Sequence, residues 1–135
     1  LSRGAHKYFQ KYMEPFGVHR GMIHILMELA VESPLPQSEL AAKMITDKAN
    51  IARILNGMEE AGLVIRYTDP DDRRGKIVKL TDEGRSLVKP VENIIMRWVD
   101  ILTEGMGQSE KACYLSLLNK SMENMCNYFK ATSID

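Results

Sequence analysis

The sequence predicts a mainly α fold with a small β-hairpin. Three observations predict it. Apolar residues recur at helical spacing through most of the 135 residues. Two short β-rich runs, LVIRYT and KIVKLT, flank a tip with three acids and two adjacent arginines, DPDDRRG. A last helical run places Leu115, Leu118, Met122, Met125 and Phe129 at spacings of 3, 4, 3 and 4, an a/d seam.

The elements follow in order. LSRGAHKYFQKYMEPFG predicts a short N-terminal helix, with Gly4 near its start and Pro15 near its end. From His19 to Glu32, HRGMIHILMELAVE places Met22, Ile23, Ile25, Leu26, Leu29 and Ala30 on a stripe wide enough for a largely buried helix. SPLP is a turn, after which Gln37 or Ser38 can start a helix. SELAAKM is that helix, burying Leu40, Ala41 and Met44. Thr46 or Asp47 can cap the next one, DKANIARILNGMEEAG. Ile51, Ile54, Leu55 and Met58 form its apolar face, Ala49, Arg53, Asn56 and Glu60 point the opposite way, and Asn50 lies on the flank. Gly62 stops it. The hairpin comes next, with Ile77, Val78 and Leu80 as candidates for burial and Gly75 to relax its bend. At LTDEG, Thr81 can cap a long helix whose first turn carries Asp82 and Glu83, favourable at the positive end of the dipole. Pro90 inside it predicts a kink. Gly105 and Gly107 end it, and the last helix begins near Ser109. The expected order is four helices, two strands and two helices, as a single domain over residues 1–135.

Composition narrows the class. The charged and hydrophobic fractions, 27% and 44%, are those of an ordinary soluble domain. No run of apolar residues is long enough to span a membrane, and the start has no apolar core of a secretory signal. Cys113 and Cys126 lie 13 residues apart in one helical pattern, ~20 Å along the axis and too far for a disulfide. A reduced, cytoplasmic protein is expected. There is no Gly-rich phosphate loop, no G-x-S-x-G and no H-E-x-x-H, so no enzyme is expected and no cofactor is implied. Basic and acidic residues balance at 18 each, which gives no global attraction to nucleic acid. From Lys43 to Lys79, however, eight basic residues face six acidic ones, a net +2.

Two helices joined by a short turn make a helix-turn-helix, and a β-hairpin directly after them makes it winged. The second helix has the size and exposure to enter a major groove. Asn50 can pair with adenine and Arg53 with guanine, Ala49 allows close approach, and Lys48 can reach phosphate. The helix starts around Gln37, Ser38 and Thr46 offer backbone-side contacts to phosphate.

The stretch DPDDRRGKIVKLTDEG resembles the wing signature of the MarR family, the multiple-antibiotic-resistance regulators: D-P-x-D-x-R, a strand, then L-T-x-x-G. Upstream, QSELAAKMITDKANIARILNGMEEAGLVIR is similar to the family's two DNA-binding helices and first wing strand. The resemblance covers residues 18–84, about half of the chain. It implies a winged helix-turn-helix over 18–84, with residues 1–17 and 85–135 as dimerisation helices. It implies a homodimer on a pseudo-palindromic operator of double-stranded DNA, with the second helix in the major groove and the wing in the minor groove. Asp72 and Arg74 match the family's D-x-R pair, so Arg74 would enter the minor groove while Asp72 fixes its guanidinium. Arg73 lies between them, free to contact phosphate, and Lys76 is a further DNA-binding candidate of the wing. Proteins of this kind are usually repressors released by a small aromatic ligand, by oxidants or by metals. Tyr8, Tyr12, Met22, Arg66 and Trp98 are candidate linings of such a ligand pocket. The family's L-T-x-x-Q opening reads VHRGM here, with His19 and Met22 at the Thr and Gln positions.

Other readings stand beside this one. Arg73 and Arg74 could be solvated loop charges, and the 115–129 stripe could be intradomain core rather than a dimer seam. A winged helix could also bind another protein. A metal or redox sensor could use His24 with Glu28, or the two thiols, although inert cysteines and structural histidines are the plainer reading.

Overall fold

The computed structural model describes residues 1–132. The elements are α1 (Ser2–Met13), a 3-10 turn (Glu14–Phe16), α2 (Arg20–Val31), β1 (Leu35–Pro36), α3 (Gln37–Lys43), α4 (Lys48–Glu60), β2 (Val64–Thr68), β3 (Lys76–Leu80), α5 (Asp82–Leu102) and α6 (Gln108–Thr132). They divide into two compact units, Leu1–Trp98 and a second that begins at Val99.

The first unit holds the core. Ile25, Leu26 and Leu29 of α2, Leu40 of α3, Ile51, Leu55 and Met58 of α4 and Val78 of β3 are fully buried. These are the stripes that helical periodicity assigns, so the core is built by α2, α3 and α4 closing on one face of the sheet. Val91 of α5 joins them.

The sheet departs from the expected hairpin. It has three antiparallel strands in the order β1-β3-β2. Leu35 pairs with Val78 and Pro36 with Ile77, while β2 and β3 pair from Val64 with Leu80 to Thr68 with Lys76. A strand of two residues is too short to alternate, and its proline is tolerated because β1 is an edge. The Ser33 hydroxyl extends this edge by accepting the Leu80 amide N–H at 3.0 Å.

The turn between α3 and α4 contains Ile45 at φ +50°. A β-branched residue in the left-handed region is strained by roughly 1–3 kcal/mol. Thr46 and Asp47 follow. Of these two, Asp47 is the cap: its Oδ1 accepts the Asn50 amide at 2.7 Å. At the other end of α4, Gly62 takes φ +74° and ends the helix as expected.

α5 starts where LTDEG predicts. The Thr81 hydroxyl accepts the Gly84 amide at 3.0 Å and donates to the Gly62 carbonyl at 2.6 Å. The Thr81 amide also donates to the Leu63 carbonyl, at 3.1 Å. Gly84 is buried, and a Cβ there would overlap the Leu63 carbonyl oxygen. Thus the motif fastens α5 to the start of β2. The helix runs on through Pro90.

In the second unit, Thr103 is buried and its hydroxyl donates to the Val99 carbonyl at 2.9 Å. Glu110 accepts the Gly107 amide at 2.8 Å, and Lys111 pairs with Asp100 at 2.9 Å. α6 contributes no buried residue. Among the described residues no helix is long and apolar enough to cross a membrane.

Candidate nucleic-acid interface

α4 presents the side chains the sequence assigns to it. Lys48, Ala49 and Arg53 are exposed and Asn50 is half-buried. Asp47 anchors the first turn through the Asn50 amide, while the Asn50 side chain is tied at both ends. Its Nδ2 donates to Thr46 Oγ1 at 2.9 Å, and its Oδ1 accepts from Arg53 Nη2 at 2.7 Å.

The wing tip is a turn shaped by its acids. Asp69 Oδ1 accepts the Asp71 amide at 2.9 Å, and Asp72 Oδ1 accepts the Arg74 amide at 3.0 Å. Backbone bonds from Gly75 to Asp72 and from Asp69 to Gly75 close the loop. This changes the expected role of Asp72. Its bond goes to the main chain of Arg74, and no salt bridge joins the two side chains. Asp72 fixes where Arg74 leaves the loop, as acids in such turns do, and the guanidinium stays exposed. Arg73 and Lys76 are exposed as well.

Helix and wing meet around one cleft of about 180 Å³. Gln37 and Ser38 at the start of α3, Lys48 at the start of α4, and Arg74 and Lys76 from the wing line it. Three cations from two elements thus converge beside two helix N-termini. Among the described residues neither Lys48 nor Arg74 forms a salt bridge.

Arg66 of β2 explains how the wing is held against the helices. Its Nη2 lies 2.9 Å from Glu59 Oε2 and also donates to Asn56 Oδ1. Its Nη1 reaches Gln37 Oε1 at 3.4 Å, and its amide donates to Glu59 Oε1 at 3.3 Å. One side chain thereby ties β2 to α4 and to the start of α3. The Arg66 side-chain hydrogen bond, aided by the Arg66 charge and outweighing the opposing desolvation, holds the Glu59 carboxyl below the usual carboxylate range. The side-chain oxygens of Asn56 and Gln37 are engaged in this clamp.

The residues expected to line a ligand pocket have separate partners. Tyr8 stacks near Tyr12 and Trp98, with ring centroids 4.7 and 4.9 Å apart, and its hydroxyl donates to the Ile94 carbonyl at 2.9 Å. Burial pushes the Tyr8 phenol up. Met22 is in the core, and Arg66 belongs to the clamp. Instead, a cavity of about 360 Å³ opens elsewhere in the first unit, lined by His6 and Phe9 of α1, Arg20, Ile23 and Met27 of α2, and Ile95 of α5. Sequence reasoning missed it because its walls come from three separate helices and follow no local motif. Among the described residues no group of His, Cys, Asp and Glu could hold a metal ion, and Glu28 pairs with Lys43 at 3.5 Å. The seam residues Leu118, Met122, Met125 and Phe129 are 41–52% exposed, while Leu115 is half-buried.

A helix-turn-helix followed by a pinned wing defines a winged-helix protein. Comparison with known proteins specifies the kind. Residues 20–76 match the MarR family model. A Thauera aromatica protein assigned to transcriptional regulation of the hcr operon is 29% identical over 124 residues, covering 89% of this chain and 75% of the relative. The crystal structure of a MarR transcriptional regulator from Methanosarcina mazei Go1 aligns with a TM-score of 0.88 and 28% identity, over 94% of this chain and 91% of that one. A regulator assigned to the MarR family from Listeria monocytogenes, crystallised with 26mer DNA, shares the fold at a TM-score of 0.85 and 16% identity, over 98% and 88% of the two chains. The chain thus resembles transcriptional regulators of MarR type, by the family model over residues 20–76 and by similarity to these relatives over most of its length.

Proposed function

We infer that this protein is a sequence-specific double-stranded DNA-binding repressor that works as a homodimer in the cytoplasm. The observation that carries this reading is the convergence of Lys48, Arg74 and Lys76 on one cleft beside the N-terminus of α4. α4 enters the major groove with Asn50 and Arg53 toward the base edges. Gln37, Ser38 and Thr46 face phosphates, and the wing carries Arg73 and Arg74 into the adjacent minor groove. Net neutrality does not oppose this, because the excess of +2 is concentrated between Lys43 and Lys79. The DNA complex of the Listeria relative is consistent with it.

The exposed apolar row on α6 supports the homodimer. Leu118, Met122, Met125 and Phe129 would be covered by the partner copy, giving two recognition helices about one turn of DNA apart on a pseudo-palindrome. A small aromatic ligand would act by changing that separation. The cavity lined by Phe9, Ile23 and Met27 with Arg20 and His6 offers an apolar wall and the cation of Arg20 to take it.

The test is titration of fluorescent duplex, bearing a selected site, at increasing salt. Log affinity should fall linearly with log salt, at about 0.9 per neutralised phosphate. Binding that is absent, or indifferent to salt and sequence, would sink the reading.

A further inference from the structure

We propose that Thr46, Asn50 and Arg53 form one reading unit, in which Asn50 positions the Arg53 guanidinium for a guanine and does not itself select a base pair. This rests on the DNA-binding reading above. Asn50 and Arg53 are three apart on α4, a spacing that brings helical side chains together, and Thr46 reaches Asn50 from the turn before the helix. Thr46 stands just before the cap Asp47, whose bond to the Asn50 amide fixes the backbone beneath the Asn50 side chain.

Both ends of the Asn50 amide then have partners in the free protein, Thr46 Oγ1 at 2.9 Å and Arg53 Nη2 at 2.7 Å. An asparagine that reads adenine offers its amide oxygen and nitrogen together to one base edge. Here that contact would compete with both bonds. Arg53 is in the opposite position. A guanidinium has five N–H donors, and only one bond holds it to Asn50. Its remaining N–H groups are free to meet the O6 and N7 of guanine, and the side chain is exposed. Asn50, half-buried and carrying no charge, supplies the acceptor that aims it. Thr46 completes the chain: its hydroxyl oxygen accepts from Asn50, which leaves the hydroxyl proton for a phosphate. The group that grips the backbone and the group that reads the base are therefore mechanically joined.

The experiment is duplex selection from a randomised pool with the full chain, followed by single-base scanning of the selected site. Wild type is compared with Asn50→Ala, Arg53→Ala, the double variant, Thr46→Val and Thr46→Ser. Asn50→Ala and Arg53→Ala should relax the same base pair, each by about tenfold. The double variant should be no more than about twofold worse than Arg53→Ala alone, as residues of one network behave. Thr46→Val should relax that same pair less, and Thr46→Ser should restore it. NMR of the Arg53 guanidinium without DNA should show it more mobile in Asn50→Ala. A merely structural Asn50 would lower stability without choosing a base pair. If Asn50→Ala relaxes a different base pair and its loss multiplies with that of Arg53→Ala, the proposal is wrong while the DNA reading survives. A wild-type protein that selects no duplex removes both.

Discussion

Asp72 holds the backbone amide of Arg74 at 3.0 Å, and leaves its guanidinium alone. The acid in the middle of the wing thus acts by geometry. It sets the point at which Arg74 departs from the loop, and the charge of Arg74 is left for the ligand.

That distinction is measurable. Asp72→Ala loses the acceptor and the local turn, at a cost of about 1 kcal/mol in a loop hydrogen bond, and DNA affinity should fall by up to about tenfold. Asp72→Asn keeps an oxygen acceptor and removes the charge, so affinity should stay close to wild type or rise slightly as the tip becomes more positive. If Asp72→Asn behaves like Asp72→Ala, the carboxylate charge matters and the geometric account is wrong.

Arg74→Ala should act differently. It leaves the turn intact but removes a cation from the cleft that Lys48 and Lys76 share. Affinity should fall across all sequences, most where the minor groove is narrow and A·T-rich. The salt slope should drop by about one for each phosphate that is no longer neutralised. A loss confined to one base pair, with the slope unchanged, would place Arg74 outside the minor groove.

The Arg66 clamp makes a pH prediction. Glu59 titrates below its ordinary value in the folded protein, first because of the Arg66 hydrogen bond. A depressed folded pKa means that the unfolded chain binds the proton more readily. The stabilisation is therefore present above the unfolded value, and is lost as pH falls through the folded one. The carboxylate side chain is 41% exposed, so solvent screening keeps the effect small. Urea unfolding from neutral pH down into the range of carboxylate titration should show a flatter acid limb in Glu59→Gln than in wild type. Identical limbs would mean that Arg66 does not hold Glu59 in solution.

How much of the fold and the interface is legible in the sequence depends on the range of the interaction. The stripes of α2 and α4, the Thr81 cap and the exposed face at Lys48, Ala49 and Arg53 follow from spacing within one helix, and periodicity reports spacing. The wing is legible because its residues are consecutive. β1 is not, since two residues carry no period and their partner lies some forty positions away. The sequence misplaces Arg66 for the same reason. Its partners Gln37, Asn56 and Glu59 sit on two other elements, and only the folded register of β2 brings it to them. The coupling of Asn50 to Arg53 lies within helical reach, yet a polar face shows only that side chains point outward, and not which of them hold one another.

Gly84 shows a motif residue whose role is wholly steric. The family-like L-T-x-x-G ends on a glycine with no positive φ among those observed, so backbone freedom does not explain it. The Leu63 carbonyl does: it accepts from the Thr81 amide and occupies the place where a Cβ of residue 84 would stand. Leu80 Cδ2 crowds the same point at 2.9 Å. Gly84→Ala must push the start of α5 away from β2, at a cost of about 1–3 kcal/mol for overpacking. Urea unfolding should report that loss, and because the wing's second strand leads directly into this joint, DNA affinity should fall with it. Ser86→Ala, two residues further along α5 and exposed, is the control and should change neither. A Gly84→Ala protein as stable as wild type would mean that α5 can shift freely, and the clasp would lose its place as the link between wing and helix.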